Sequence, residues 1–393
     1  MYGISKTCTA CGLCLDKCPE SAIRLVENER RELVSFIDND KCIKCGLCSN
    51  ICPEINHNKF NKTEKCYAAW TKDERDYSTT SSGGIATLIS KWCVNNGGVV
   101  YGAEMQLGGS VKHNRIDSIR EIEQLKGSKY VQSNFCEVHR RIKLDISDGR
   151  LTVIIGTPCQ LASILESYSE AELKNVYLID LVCHGVPPAS YLEEYLNDII
   201  GDGDRDSVTV SFRKKQYMLK VHKRDQEIYT KKCMLDPYYR SFLEGLIFRE
   251  NCYECKYARP ERISDITLCD FWGLKKETLK NISPPENISG VLINTTKGRW
   301  LMDNCKNQME YEEREINEVI EGNDNLNHPS TRHPDRFIFS SGIERGMKFS
   351  DSINNTRINN EIKREIIIEL LRAPYRIIRH IYRFVTLKRQ WNV

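Results

Sequence analysis

Cys8, Cys11, Cys14 and Cys18 precede Pro19, and Cys42, Cys45, Cys48 and Cys52 precede Pro53. One spacing therefore occurs twice, each time with Gly-Leu between the second and third cysteine. Three thiolates in a tight turn can each reach a different iron of one 4Fe-4S cube. The fourth, carried off by a helical start and a proline, reaches the other cube. The spacing thus groups Cys8, Cys11, Cys14 and Cys52 as one ligand set, and Cys42, Cys45, Cys48 and Cys18 as a second. Zinc would require one four-ligand set per site, usually two spaced pairs, and does not account for two interlocked quartets. The chemistry expected of residues 1–56 is single-electron transfer.

Other residues extend this chemistry. Cys252 and Cys255 have a metal-ligand spacing, and Cys159 and Cys183 each end an apolar run. Together these four would complete a third cubane, with Cys269 as the alternative fourth ligand. The competing reading makes Cys159 and Cys183 small buried hydrophobes, as free cysteines often are. That structural reading is preferred for Cys66, Cys93, Cys136, Cys233 and Cys305. Ser81, Ser82, Gly83 and Gly84 precede a helical pattern at 85–92, and small residues at a helix start can present backbone N–H groups to phosphate. A plain serine cap is the alternative. Residues 127–133 add Lys129 to small neighbours; a solvated lysine loop is the alternative there.

The elements that must position these groups follow from hydrophobic patterning. Residues 22–26 and 33–37 flank a polar stretch at 27–32, which predicts a small hairpin. Residues 56–65 read as a linker. Beyond it, apolar runs at 151–155, 176–182, 263–268 and 291–293 alternate with helical stretches, which predicts α/β architecture. The first run ends at Thr157, Pro158 and Cys159, the second at Cys183 and His184, the third at Cys269 and Asp270. Functional loops in such sheets lie at strand carboxyl ends. Residues 207–214 and 218–230 read as a polar antiparallel excursion.

At 393 residues, with 40% hydrophobic residues, the chain can bury two or three cores. A net charge of +3 does not suggest a nucleic-acid partner. No run of about 18 apolar residues occurs, so no membrane-spanning helix is expected. Cys8 arrives before any apolar stretch, and the cysteines sit in tight spacings. We therefore expect no export signal and a reducing, cytoplasmic setting.

The first 56 residues resemble bacterial-type two-cluster ferredoxins. Further segments occur in an order that resembles the beta subunits of coenzyme F-420 (deazaflavin) hydrogenases and dehydrogenases. These are Ser82-Gly83-Gly84, residues 127–133, 156–160 and 180–187, and residues 252–273 with their Asp-Phe-Trp-Gly end. The resemblance implies an FAD held near Ser82, Gly83, Gly84, Lys129, Thr157, Pro158 and His184, and a third cubane on Cys159, Cys183, Cys252 and Cys255. Cys269 stands where that family usually has glycine, the one departure. The implied fold is an α+β ferredoxin-like domain at 1–56, an α/β flavin-binding body at 66–340 (in parts 66–125 and 126–340) and a helical tail at 341–393. Cubanes pass one electron at a time and a flavin exchanges two, so the combination is coherent. His184 and Lys129 are then the candidates to stabilise reduced flavin or supply a proton.

Residues 361–393 carry eight Lys or Arg against three Glu, and Pro374 divides them. In the second part Ile377, Ile378, Ile381, Tyr382 and Val385 share a helical face opposite Arg376, Arg379 and Arg383. That pattern suits peripheral contact with an anionic membrane's inner face, or packing on the chain's own body or on a second copy. Three functions are compatible with the whole. One is a flavin and iron–sulfur oxidoreductase acting on a small molecule or deazaflavin. The others are a wiring subunit docked on a redox partner protein, and a non-enzymatic redox module in surface-polysaccharide biosynthesis, where relatives of the family are found.

Overall fold

The computed structural model describes residues 5–56, 59–201, 203–213, 216–280 and 284–371. In the amino-terminal unit the repeated cysteine spacing is a repeated backbone. Ala10 (φ 56°) and Lys44 (φ 57°) are both left-handed, as are Gly12 (φ 85°) and Gly46 (φ 76°) two residues later. Each glycine opens a short helix, Leu13–Lys17 or Leu47–Asn50. Between them, β1 (Ile23–Glu27) and β2 (Leu33–Ile37) form the expected antiparallel hairpin, with Ile23 opposite Ile37.

The body contains β3 (Lys65–Thr71), β4 (Val99–Met105), β5 (Val111–Ile116), β6 (Thr152–Gly156) and β7 (Val176–Leu181). A lobe follows, made of β8 (Val208–Arg213), β9 (Tyr217–Lys223) and β10 (Gln226–Lys232). The chain then returns through β11 (Ile266–Asp270), β12 (Ser289–Ile293) and β13 (Met309–Arg314). The main sheet has the order β13-β3-β12-β11-β7-β6-β4-β5. Its central pairs β11/β7, β7/β6 and β6/β4 are parallel, and the flanking pairs are antiparallel.

Both faces of the sheet are covered, which is why its central strands read as apolar runs rather than alternating ones. Val99, Tyr101, Ile154, Val176 and Leu178 pack with Val138, Ile142 and Leu161 from helices Cys136–Ser147 and Pro158–Leu165. Val100, Val153, Tyr177 and Ile179 face Leu88, Ile89 and Leu301 from helices Ile85–Asn95 and Thr296–Cys305. The polar excursion differs from expectation: 218–230 is two strands, turned at Arg224 (φ 53°). β11 also begins three residues later than expected, because Asp265 accepts from Leu178 N (2.9 Å) and Thr295 Oγ1 (2.7 Å) and so caps the junction. The linker is pinned: Asn61 and Arg262 exchange backbone hydrogen bonds of 2.7 and 2.9 Å. Residues 357–371 are helical, and the rest of the tail, with the expected face of Ile377, Ile381 and Val385, lies outside the described residues. Among the described residues, no helix is long and apolar enough to cross a membrane.

The two halves of the amino-terminal unit differ in what surrounds them. Leu13 and Ala10 are buried, whereas their repeat partners Leu47 and Lys44 are exposed. A Cβ on Gly12 would lie 2.8 Å from Cys136 Cα, while one on Gly46 would meet nothing within 4 Å. Gly46→Ala therefore carries only the left-handed backbone cost, about 1–2 kcal/mol. Gly12→Ala adds overpacking of about 1–3 kcal/mol. Chemical denaturation of the two variants should show the larger loss at Gly12; equal losses would remove the asymmetry.

Candidate iron–sulfur centres and the adjoining loops

Cys8, Cys11, Cys14 and Cys52 line one small cavity with Leu13, Leu25 and Ser35. Burial, with a further contribution from the neighbouring thiols, raises the pKa of three of them: Cys11 is pushed up to about 12, and Cys14 and Cys52 also rise. Desolvated thiols facing an enclosed gap hold protons that bound iron replaces. Among the described residues, no three His, Cys, Asp or Glu side chains converge on a point that a single metal ion would fill. A cubane has its ligands on separate corner irons and requires a gap between them. These residues fit it. His139 stands beneath the loop, donating from Nε2 to the Cys11 carbonyl (3.1 Å), and burial holds its pKa down to about 4.

The second set is at the surface. Cys45 is exposed, Cys42 and Cys48 are partly so, and Cys48 lies within electrostatic range of Cys14. Cys18 Sγ accepts from Ala22 N (3.3 Å).

Cys159, Cys183, Cys252 and Cys255 come together from three elements. Cys159 sits in the first turn of helix Pro158–Leu165, where Gln160 Oε1 accepts from Thr157 N (3.0 Å). Cys183 follows β7, and Cys252 and Cys255 lie on and just past the turn Glu250–Glu254. Each of Cys159, Cys183 and Cys252 has others of the four as charged neighbours; burial is the larger cause of their raised pKa values, with Cys183 at about 12. The loop that brings the Cys252 pair under the strand ends is anchored by Arg262. This side chain bonds Asp180 (2.9 Å) and the Tyr257 carbonyl (2.9 Å), all buried. Cys269 is placed elsewhere, beside Cys66 and Gly290. It does not join the quartet: in β11 it lies opposite Gly290 of β12, and its side chain packs with Cys66 and Phe271.

Polar loop residues near Cys159 are tied to one another. Ser81 Oγ accepts from Ser128 N (3.0 Å), joining the two small-residue loops. Ser133, His113 and Gln160 are linked as well: His113 Nε2 donates to Ile155 O (3.0 Å), and Gln160 Nε2 donates to Ser133 Oγ (2.8 Å). His184 is solvent-accessible yet hemmed in by protein, which lowers its pKa against the opposing pull of Asp270 and Asp324. Gly83 N–H is taken by Ser289 Oγ (3.0 Å), and a Cβ there would lie 2.4 Å from Ala69 O, so this glycine lets the loop approach β3. The helix after Gly84 has no side-chain cap, so its first turn retains N–H groups for an anion. That donor set fits a phosphate-bearing cofactor.

Several site residues carry no motif. Arg213, at the end of β8, donates to Asp270 (2.5 Å). Its guanidinium stands 4.5 Å from the Tyr217 ring centroid and 6.0 Å from that of Trp272. Glu54, on the cavity wall, accepts from Tyr257 Oη (3.2 Å) and raises the pKa of Cys159 and Cys255. Only proximity in the folded chain identifies them.

Lys129 Nζ donates to the carbonyls of Leu125 (2.7 Å) and Lys126 (2.9 Å). Burial pushes its pKa down to about 7, opposed by Glu104. The unfolded chain thus binds a proton here that the folded chain releases between about pH 7 and 10. Stability from this group rises with pH across that window and is lost as pH falls toward 7. Subtracting the pH–stability curve of Lys129→Met from that of the native protein should isolate this rise; a flat difference would contradict it.

Residues 7–55 match the family described as 4Fe-4S dicluster domain. Residues 149–319 match the C-terminus family of the coenzyme F420 hydrogenase/dehydrogenase beta subunit. No curated protein sequence matches the chain. Among solved structures, a chain of the xenon-derivatised F420-reducing [NiFe] hydrogenase complex from Methanosarcina barkeri is similar at 16% identity. The match has a TM-score of 0.46 and covers 70% of this chain and 97% of that one. The chain thus carries a 4Fe-4S dicluster domain at residues 7–55 and, at residues 149–319, a region that matches the C terminus of the coenzyme F420 hydrogenase/dehydrogenase beta subunit.

Proposed function

We propose that this protein is a flavin-dependent iron–sulfur oxidoreductase, with residues 1–56 as the electron entrance or exit of a body at 66–340. The observation that carries the reading is the convergence of Cys159, Cys183, Cys252 and Cys255 near the strand carboxyl ends, linked to the Cys8 quartet's cavity through Tyr257 and Glu54. Bound cubanes would supply single-electron carriage, and FAD would join it to a two-electron reaction of a small substrate or deazaflavin. The chain's own residues hold and shield these groups. The uncapped turn after Gly84 receives phosphate, aided by Ser82. Thr157 and Pro158 shape the wall beside Cys159. Lys129 and His184, both with lowered pKa, hold or move a proton at Nζ and at the imidazole.

A second role, docking a redox partner protein, is favoured by the surface around Cys45. Ile43 is 61% exposed there, beside exposed Leu47. Apolar side chains next to an exposed ligand cysteine suit transient electron-transfer contact.

Anaerobic purification followed by iron and flavin analysis tests the proposal. About twelve irons and one flavin per chain are expected, with about four irons lost in Cys183→Ser. About eight irons in the native protein, or no flavin, would refute it.

A further inference from the structure

Two buried bridges connect the Cys8 quartet to the body quartet. In the first, Arg249, 1% exposed, lies three residues before Cys252. Its guanidinium donates to the carbonyl oxygens of Cys8 (2.8 Å) and Leu33 (2.9 Å), to Gln132 Oε1 (2.7 Å) and to Asn251 Oδ1 (3.1 Å). Its own carbonyl accepts from Cys252 N (3.0 Å). In the second, Tyr257 Oη donates to Glu54, and Lys256 Nζ reaches the carbonyls of Pro53 and Asn56.

The first bridge has an unusual electrostatic balance. All four acceptors of the Arg249 side chain are neutral, and among the described residues it forms no salt bridge. The nearby carboxylates are engaged otherwise: Glu250 by Arg332 and Arg336, and Glu32 by Arg336 and Arg30. A buried cation without a paired anion is costly. The anions that would balance it are those formed when the neighbouring cysteines give up their protons to iron, at Cys8 on one side and Cys252 on the other.

We propose that Arg249 is a shared counter-cation for two iron–sulfur centres, one on the Cys8 quartet and one on the Cys252 quartet, and that the Cys8 centre is the inner of the two ferredoxin sites. The inference rests on the cubane reading of both quartets. Adding one electron makes a centre more negative by one charge, so a fixed cation bonded to the Cys8 segment and within electrostatic range of Cys252 favours the reduced state of both. The Cys45 centre, on the exposed loop, lies outside this contact. Arg249 is a positioning residue: it touches backbone and ligand segments rather than a substrate.

The test is a potentiometric EPR titration of the holoprotein, with signals identified through Cys183→Ser and Cys45→Ser. Arg249→Gln should shift the one-electron reduction equilibria of the inner and body centres at least tenfold toward oxidised, about 59 mV each. The Cys45 signal should stay in place, and Arg249→Lys should recover most of the shift. Three signals unmoved by Arg249→Gln, or a shift confined to the Cys45 signal, would overturn the inference while leaving the cubane reading intact. Native protein with no body signal would instead defeat that reading. If Arg249→Gln fails to retain iron, hydrogen exchange and potentials in Arg249→Lys decide: native exchange with both potentials lowered less than tenfold supports the inference, and lost protection at residues 8–37 with unmoved potentials overturns it.

Discussion

The buried attachment of the amino-terminal unit to the body is the constraint on which the remaining geometry depends. Arg249 ties the Cys8 loop and β2 to the turn that carries Cys252. Glu32, itself buried, accepts from Glu250 N (2.8 Å), and Tyr191 Oη donates to Arg30 O (2.8 Å). Gly12 lets the first cysteine loop approach Cys136. Hydrogen bonds to charged groups contribute about 1.5–3 kcal/mol each, and unsatisfied buried partners cost as much. A set of this kind fixes one arrangement of the two units.

This attachment breaks the symmetry of the cysteine repeat. Two turns with the same φ pattern and the same Gly-Leu pair end in different surroundings. One is desolvated against helix Cys136–Ser147, and the other faces solvent. The local sequence dictates the turn, while tertiary contact dictates how strongly each thiol is shielded from water. In the proposed function that division has a use, since a shielded centre and an accessible one would serve different ends of an electron path.

Much of the framework is legible in the chain alone. The hairpin at 23–37, the apolar strands ending at Thr157 and Cys183, and the helix after Gly84 follow from short-range patterning. Grouping Cys52 with Cys8, Cys11 and Cys14 follows from spacing, and the cavity brings those residues together. Other features depend on distant partners. Arg249 and Glu54 look like ordinary surface charges in sequence, and their partners become visible only when residues more than 200 positions apart meet; Arg213 finds Asp270 57 positions on. Cys269 is close to the C-x2-C pair in sequence, yet it lies within β11, beside Cys66. Gly83 suggests a phosphate loop, and its packing against Ala69 shows only in the fold.

The central claim is that the Cys8 quartet and the body quartet belong to one continuous electron path. Pulsed EPR of the fully reduced holoprotein tests it most directly, because spin coupling reports adjacency without substrate or turnover. The account predicts that the inner ferredoxin centre is coupled on both sides, so that Cys183→Ser removes one coupling and leaves the other. A reduced spectrum whose inner signal is the same with and without Cys183 would contradict it.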